Sequence, residues 1–109
     1  MGKKMQRSLL MFLENYLSNT KLLLLNSKYD KEYIENFEYN KFINIYNIFK
    51  SYNFYFIDDI IMNYLEIFEM KEELVIKRIE FLKEKLGNNF VYIIGNDMRY
   101  LEYIKNTLE

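Results

Sequence analysis

Hydrophobic residues recur every three or four positions along almost the entire chain, which is the spacing that amphipathic helices produce. The pattern is most regular over residues 57–68 and 71–86, and each of these stretches presents a single apolar stripe. Asp58 and Asp59 stand at the start of the first stretch, where negative charge stabilises a helix N-terminus. Gly87 directly follows the second stretch and predicts that this helix ends in a left-handed residue.

Weaker stripes predict further helices before and after these two. A first helix is expected to carry Leu9, Leu13 and Leu17 on one face, and its continuation through Leu24 is an open alternative. Residues 26–28 are then expected to form a connection, with Asp30 as the N-cap of the next helix. The remaining predicted boundaries are a joint near Tyr39 and Asn40, a helix over 42–52, a turn over 51–55 and a last helix over 98–108.

Residues 88–97, NNFVYIIGND, are ambiguous, because β-branched and aromatic residues over 90–94 are typical of a buried strand. No other stretch of the sequence predicts a partner strand, and a lone strand cannot form a sheet. A shift of the chain by 33 residues instead superposes this stretch on the start of the helix at residue 57. We therefore predict a short helix from near Asn89, with a joint at Gly95 and Asn96.

Together these patterns predict an all-α fold, in which residues 1–109 form a single domain built as a compact bundle of five to six helices. The overlay at 33 residues adds the hypothesis that the second half consists of repeated helical pairs. A period of this length is typical of proteins built from stacked helical units.

Two residue types that enzymes often use for acid–base and nucleophilic chemistry are missing, although carboxylates, Lys and Tyr remain and some enzymes use only those. The chain contains no Cys and no His, so it has neither the usual thiol nucleophile nor the usual general base. Asp58 and Asp59 are neighbours that point about 100° apart on a helix, so helix capping is favoured over metal binding. Glycine occurs only at positions 2, 87 and 95, which excludes a glycine-rich phosphate loop. We therefore predict that the protein is not an enzyme and has no cofactor and no metal site.

The N-terminal region superficially resembles a signal peptide, but Glu14 and Asn15 interrupt its apolar run and no small-residue cleavage site follows. The leucines at 22–25 form a run too short to span a bilayer. We expect a soluble cytoplasmic protein with no membrane partner. The abundance of Asn, Ile, Lys, Tyr and Phe, whose codons are rich in A and T, is typical of a low-GC bacterium or phage.

Charge and aromatic residues favour protein binding. The net charge is −1, but residues 29–73 hold ten acidic and four basic side chains. The chain has 11 Tyr and 9 Phe, and several of them fall off the apolar stripes, where exposed rings beside carboxylates can anchor a partner. We predict a small adaptor or inhibitor, of phage or mobile-element origin, that binds another protein or self-associates. The predicted interface residues are Tyr29, Tyr39, Phe54, Tyr55, Glu66, Glu69 and Glu73.

Residues 57–104 resemble the helical repeats of mitochondrial transcription termination factors. The resemblance rests on residues 81–83, Phe-Leu-Lys, and on Leu-Gly at 86–87, which match the ending of the longer helix in those repeats. The chain differs at Leu65 and Met98, where that family has proline. The resemblance implies stacked helical units and nucleic-acid binding along a basic concave face, and nucleic-acid binding is our alternative function. The basic residues available for it are Lys3, Lys4, Arg7, Lys77, Arg78 and Arg99.

Overall fold

The structure is a computed structural model that describes residues 8–106, and this part of the chain contains helices and turns but no strand. The predicted all-α class is therefore confirmed, although the helices within residues 8–106 outnumber the five to six expected. In chain order they are α1 (Leu9–Tyr16), α2 (Asn19–Lys28), α3 (Lys31–Glu35), α4 (Tyr39–Ser51), α5 (Ile57–Tyr64), a 310 helix (Leu65–Glu69), α6 (Glu72–Leu86), α7 (Phe90–Asn96) and α8 (Tyr100–Asn106).

Serine caps divide the N-terminal region more finely than the apolar pattern predicts. The Ser8 hydroxyl accepts a hydrogen bond from the backbone N–H of Met11, and Ser18 accepts one from Lys21, each at 3.2 Å. The alternative of one helix continuing to Leu24 is therefore wrong, because α1 ends at Tyr16 and Ser18 is the N-cap of a second helix, α2. The expected connection at 26–28 is also wrong, since α2 runs to Lys28.

Asp30 occupies the N-cap position of α3, as predicted, although its side chain makes no capping hydrogen bond. The joint expected near Tyr39 lies slightly earlier, because α3 ends at Glu35 and α4 begins at Tyr39. Met98 precedes the last helix, which starts at Tyr100, and position 108 lies outside the described residues.

The stretch at 57–68 changes its winding partway. It is an α-helix to Tyr64 and a 310 helix from Leu65, whereas the sequence predicts one continuous α-helix. Residues three apart share a face in both kinds of helix, so the apolar pattern fits either winding. The 310 segment buries Leu65, Ile67 and Phe68 completely.

The turn residues explain how the longer helices end. Asn53 has a φ of 66° in the turn after α4, a conformation that asparagine tolerates better than most residues. Gly87 has a φ of 87°, so the predicted positive φ at the end of α6 is confirmed, and its N–H donates to the Lys83 carbonyl at 2.9 Å.

The ambiguous stretch at 88–97 is helical, since α7 covers Phe90–Asn96. The predicted joint is displaced, because Gly95 belongs to the helix and the chain turns after Asn96. A Cβ atom at Gly95 would collide with the Tyr55 hydroxyl and lie 3.0 Å from the ring of Phe56. The absence of a side chain at Gly95 therefore allows α7 to pack closely on the turn that precedes α5.

The helices form three consecutive groups, which we call layers: α1 to α3, α4 to the 310 helix, and α6 to α8. In each layer the first helix packs against the two elements that follow it. Neighbouring layers touch where α2 meets α5, where α4 meets α6 and where α8 meets the 310 helix. The starts of α4 and α6, Tyr39 and Glu72, are 33 residues apart (72 − 39), as are those of α5 and α7, Ile57 and Phe90 (90 − 57).

The centre of the core is aromatic. Phe68 of the 310 helix stacks on Phe42 with ring centroids 4.9 Å apart and lies 5.7 Å from Phe49. All three side chains are fully buried. Because Phe42 and Phe49 belong to α4, these rings fix the 310 helix against the first helix of its own layer.

Candidate interaction surfaces

Two of the predicted interface glutamates accept hydrogen bonds from tyrosines of the preceding layer. The Tyr29 hydroxyl donates to Glu66 Oε1 at 3.1 Å and accepts from the backbone N–H of Leu65 at 3.2 Å. The Tyr33 hydroxyl donates to Glu69. These tyrosine rings stack with centroids 5.8 Å apart. The predicted Tyr29, Glu66 and Glu69 therefore lie together, and their first role is to join the first layer to the 310 helix.

The same kind of pairing joins the second layer to the third. Asn44 Nδ2 donates to Glu72 Oε2 at 3.0 Å, and the Tyr52 hydroxyl donates to Glu80 Oε2 at 2.6 Å. Sequence reasoning missed these contacts because they join residues far apart in the chain. The two pairs have the same sequence separation, because each donor precedes its acceptor by 28 residues (72 − 44 and 80 − 52). This shared separation is the sequence signal that could have predicted them.

The other predicted interface residues have different environments. Phe54 is only 4% exposed and packs between Phe49, Phe56 and Phe90, so it is a core residue rather than the surface anchor expected. Tyr39 is half-buried, with its ring 6.3 Å from that of Phe12. Tyr55 is 64% exposed, and Glu73 is also exposed.

An open groove of about 510 Å³ runs between α3, the start of α4 and the 310 helix, and we call it the acidic groove. Four of its lining residues are carboxylates and only Lys41 is basic. Its lining residues are Asp30, Glu32, Tyr33, Asn36, Phe37, Glu38, Lys41 and Glu69. Of these, only Glu69 is an interface residue predicted from the sequence, although residues 29–73 are the acidic part of the chain.

The tyrosines in the contacts between layers are held in the neutral form. Burial, followed by hydrogen bonding to Glu80, raises the pKa of Tyr52 to about 12. Burial also raises the pKa of Tyr29 to about 12, and the charge of Glu66 acts in the same direction. The pKa of Tyr33 is raised as well, first by burial and then by its bond to Glu69. Ionisation of any of these hydroxyls would remove a donor and place two negative charges together.

We expect the folded protein to lose stability as the pH rises from about 10 to about 12. The folded-state pKa values of Tyr29 and Tyr52 lie above the ordinary value of 10.0. Their contribution is therefore complete below pH 10 and is lost as the pH passes through the folded values. Urea unfolding at a series of pH values measures the loss. Tyr29→Phe should reduce the alkaline dependence. A stability that stays constant through pH 12 would contradict this expectation.

The basic residues predicted for nucleic-acid binding do not form one surface in the described part of the chain. Arg78 is 4% exposed, and its Nη1 donates to the Ile104 carbonyl at 2.5 Å. Arg99 is exposed and makes two hydrogen bonds of 2.8 Å to Asp97, which lower the pKa of that carboxyl. Lys77 is exposed on α6. The other three predicted residues, Lys3, Lys4 and Arg7, lie outside the described residues.

Asp58 and Asp59 stand in the first turn of α5, where negative charge is favourable, but the prediction that they cap this helix is wrong, because its N-cap is Phe56 and no side chain caps it. Asp58 Oδ1 accepts from the backbone N–H of Asp59 at 3.0 Å, and Oδ2 forms an ion pair with Lys21 of α2. In residues 8–106 no group of three or more candidate metal ligands converges. Over the same residues, no helix has both the length and the apolar character needed to cross a membrane.

Comparison of the chain with models of protein families, with curated proteins and with solved structures finds no match.

Proposed function

We propose that this chain is a non-catalytic protein-binding module, an adaptor or an inhibitor, that holds a basic segment of another protein in the acidic groove. The observation that carries the proposal is the convergence of Asp30, Glu32, Glu38 and Glu69 beside the rings of Tyr33 and Phe37 in one open groove. Lysine and arginine side chains are attracted to such a charge distribution, and their aliphatic stems pack on aromatic rings.

The internal contacts of the groove suit the binding of a partner. Glu69 is already held by the Tyr33 hydroxyl, so this part of the wall is fixed before a partner arrives. A fixed wall reduces the side-chain entropy that binding must remove. Glu32 and Glu38 are exposed on either side and are available to approaching cations. An acidic surface of this kind can also cover the nucleic-acid-binding site of a partner, which is one form of inhibition.

A charge-reversal experiment tests the groove. The probe is a fluorescein-labelled peptide of repeated Lys-Ala-Leu units, and its binding is followed by fluorescence anisotropy at several salt concentrations. The double variant Glu32→Lys/Glu38→Lys is expected to weaken binding by about tenfold or more, which corresponds to about 1.4 kcal/mol. Binding by the unchanged protein should also weaken as salt rises, because exposed charges are screened.

The matched control is Glu14→Lys/Glu84→Lys, which makes the same change in net charge at exposed positions outside the acidic groove. This control is expected to bind the peptide within about twofold of the unchanged protein, since screening limits effects over distances beyond about 10 Å. Equal losses in the two double variants would mean that overall charge, rather than the groove, attracts the peptide. No binding by the unchanged protein would reject the acidic groove as a site for basic segments.

Nucleic-acid binding is the second function that we propose to test. It is supported by the resemblance of residues 57–104 to mitochondrial transcription termination factor repeats and by a groove on α6 in which Lys77 and Lys83 stand beside Phe81. Glu80 and Glu84 line the same groove and oppose a phosphate backbone. A gel shift with labelled single- and double-stranded oligonucleotides across a salt series separates the two functions. Tight, salt-dependent binding that Lys77→Ala and Lys83→Ala weaken would make nucleic acid the primary ligand.

A further inference from the structure

The first helices of the three layers stand next to each other in chain order, and the middle one, α4, presents one flank to the layer before it and one to the layer after it. On α4, the Tyr39 ring lies near Phe12 of α1, whereas Asn44 and Tyr52 donate to α6. Asn44 and Tyr52 are eight positions apart, with Ile48 midway, and residues four apart share a helix face. The stripe of α4 that faces α6 therefore consists of a hydrogen-bond donor (Asn44), an apolar residue (Ile48) and a second donor (Tyr52).

The flank of α6 that meets α4 has the complementary pattern. The acceptors on it are Glu72 and Glu80, again eight positions apart, with Ile76 midway. The contact between the second and third layers thus includes two hydrogen bonds, with Ile48 half-buried between the two donors and Ile76 39% exposed between the two acceptors. It pairs two donors on one helix with two carboxylates on the next.

The opposite flank of α6 repeats the donor pattern of α4. Lys77, Phe81 and Lys85 stand 33 positions after Asn44, Ile48 and Tyr52 (44 + 33, 48 + 33 and 52 + 33), and we call them the outer stripe. The five-residue step from Glu72 to Lys77 places the outer stripe about 140° around the helix from the flank that meets α4. The elements that pack closely on α6 within residues 8–106 are α4, α7 and α8.

The outer stripe presents an aromatic surface between two cations. Phe81 is 40% exposed and stacks on Tyr103 of α8, with ring centroids 5.0 Å apart. The Lys85 Nζ atom lies 5.3 Å from the centroid of the Phe81 ring. Lys77, Phe81 and Tyr103 line an open groove of about 710 Å³, and Lys83, Glu80 and Glu84 line it as well. A ring of this size that is held in place by a stacked neighbour is a suitable anchor for a partner.

We propose that the outer stripe binds an amphipathic helix of a partner protein that carries two acidic residues eight positions apart with an apolar residue midway. This helix would pack on α6 as α6 packs on α4. Lys77 and Lys85 donate to the two carboxylates, and the apolar residue rests on Phe81. A second copy of the chain fits less well, because two outer stripes facing each other would oppose lysine to lysine, and the Glu72–Ile76–Glu80 flank is already occupied by α4.

The outer stripe is independent of the acidic groove. The acidic groove is formed by α3, α4 and the 310 helix, whereas the outer stripe belongs to α6 in the third layer. The two surfaces also have opposite preferences, since one attracts cations and the other acidic helices. A protein with both could hold two partners at once, which is what an adaptor does.

Three synthetic peptides test the outer stripe. The acidic peptide is a fluorescein-labelled Ala/Gln helix of about 17 residues, long enough to be partly helical alone, with Glu and Ile alternating at every fourth position. The second peptide has Lys in place of each Glu. The third keeps the acidic residues but has a central proline, which breaks the helix. Fluorescence anisotropy should show that the protein binds the acidic helix about tenfold or more tightly than either of the others.

Variants of the protein locate the binding. Lys77→Glu/Lys85→Glu is expected to weaken binding of the acidic peptide about tenfold or more, and Phe81→Ala is expected to weaken it about threefold to tenfold. Lys31→Glu/Lys50→Glu makes the same charge change on α3 and α4 and should leave binding within about twofold. Circular dichroism of each variant should match the unchanged protein, which separates loss of the surface from loss of the fold.

Four results would overturn the proposal. The first is equal binding of the acidic and lysine peptides, and the second is unchanged binding by Lys77→Glu/Lys85→Glu. The third is a single-stranded oligonucleotide that binds more tightly than the acidic peptide and displaces it, because the stripe would then be a nucleic-acid surface. The fourth is a dimer of the unchanged protein in sedimentation that Phe81→Ala dissociates. A negative result for the outer stripe would not reject the proposal for the acidic groove, since that proposal is tested with basic peptides and with variants at Glu32 and Glu38.

Discussion

Replacement of Phe68 by alanine is expected to lower the free energy of unfolding by about 3–5 kcal/mol, a large part of the 5–15 kcal/mol that stabilises a typical small domain. The Phe68 side chain is fully buried, stacked on Phe42 at 4.9 Å and 5.7 Å from Phe49. Its removal leaves a cavity where the 310 helix meets α4, and the two remaining rings cannot fill it without moving α4. Urea unfolding followed by circular dichroism measures the change.

Two further variants control for this interpretation. Phe81→Ala removes the same atoms from a residue that is 40% exposed, and it should cost only about 1 kcal/mol, mostly from its stacking with Tyr103. Phe68→Leu keeps much of the buried volume and should cost less than Phe68→Ala. If Phe68→Ala and Phe81→Ala were equally destabilising, the 310 helix would not be packed on α4 as the structure describes.

The regular elements of the fold were predictable because their sequence signals are local. The stripe over residues 71–86 and the glycine that follows it define α6, and the chain does end that helix at a positive φ. The stretch at 88–97 was predictable for a different reason. Its residue types favour a strand, but a strand needs a partner, and the rest of the sequence has none to offer.

The boundaries were less predictable because they depend on single hydrogen bonds. The apolar stripe continues past Ser18, yet the Ser18 hydroxyl captures the N–H of Lys21 and the chain turns there. The change from α5 to the 310 helix has no local signal at all, since both windings place residues three apart on one face. That change is selected by the burial of Ile67 and Phe68 against other helices.

The candidate surfaces were the hardest to predict, because side chains that fall off a helical stripe are not always exposed. Tyr29 and Glu66 were both assigned to a partner, but they contact each other across two layers. Phe54 follows Asn53, a turn residue with positive φ. The turn at Asn53 directs the chain so that the Phe54 ring enters the core. Arg78 lies on the buried face of α6, where its charge reaches a carbonyl of α8 rather than solvent. Each outcome depends on a contact between residues distant in sequence.

The contacts between layers also explain why the acidic part of the chain is only partly a surface. Glu66, Glu69, Glu72 and Glu80 each accept a hydrogen bond from an earlier helix, so they stabilise the stack before they meet any partner. Glu32 and Glu38 make no such contact among the hydrogen bonds described, and they remain exposed beside the acidic groove. The acidic groove therefore combines fixed carboxylates with adaptable ones, which suits recognition of a flexible basic segment.

Arg78→Met is expected to destabilise the third layer by about 1.5–3 kcal/mol, which is the usual contribution of a hydrogen bond from a charged donor. Arg78 is 4% exposed, and its Nη1 lies 2.5 Å from the carbonyl oxygen of Ile104 in the last turn of α8. Carbonyls near the end of a helix lack an intrahelical donor, and a cation there also interacts favourably with the helix dipole. Methionine replaces the aliphatic stem of the arginine side chain with a slightly shorter apolar chain and removes the guanidinium group, with its donors and its charge.

The loss of stability in Arg78→Met should be larger in α8 than in α4, because Arg78 donates a hydrogen bond to α8 and makes none to α4 among those described. Amide hydrogen exchange is expected to accelerate in α8 more than in α4, and urea unfolding reports the total change. Lys83→Met, the same kind of substitution at an exposed residue of α6, should change stability by less than about 0.5 kcal/mol. Because Tyr103 of α8 supports the ring of Phe81, Arg78→Met should also weaken binding of the acidic helical peptide. Unchanged exchange in α8 would mean that its apolar contacts, Leu101 and Ile104 above all, hold that helix without the arginine.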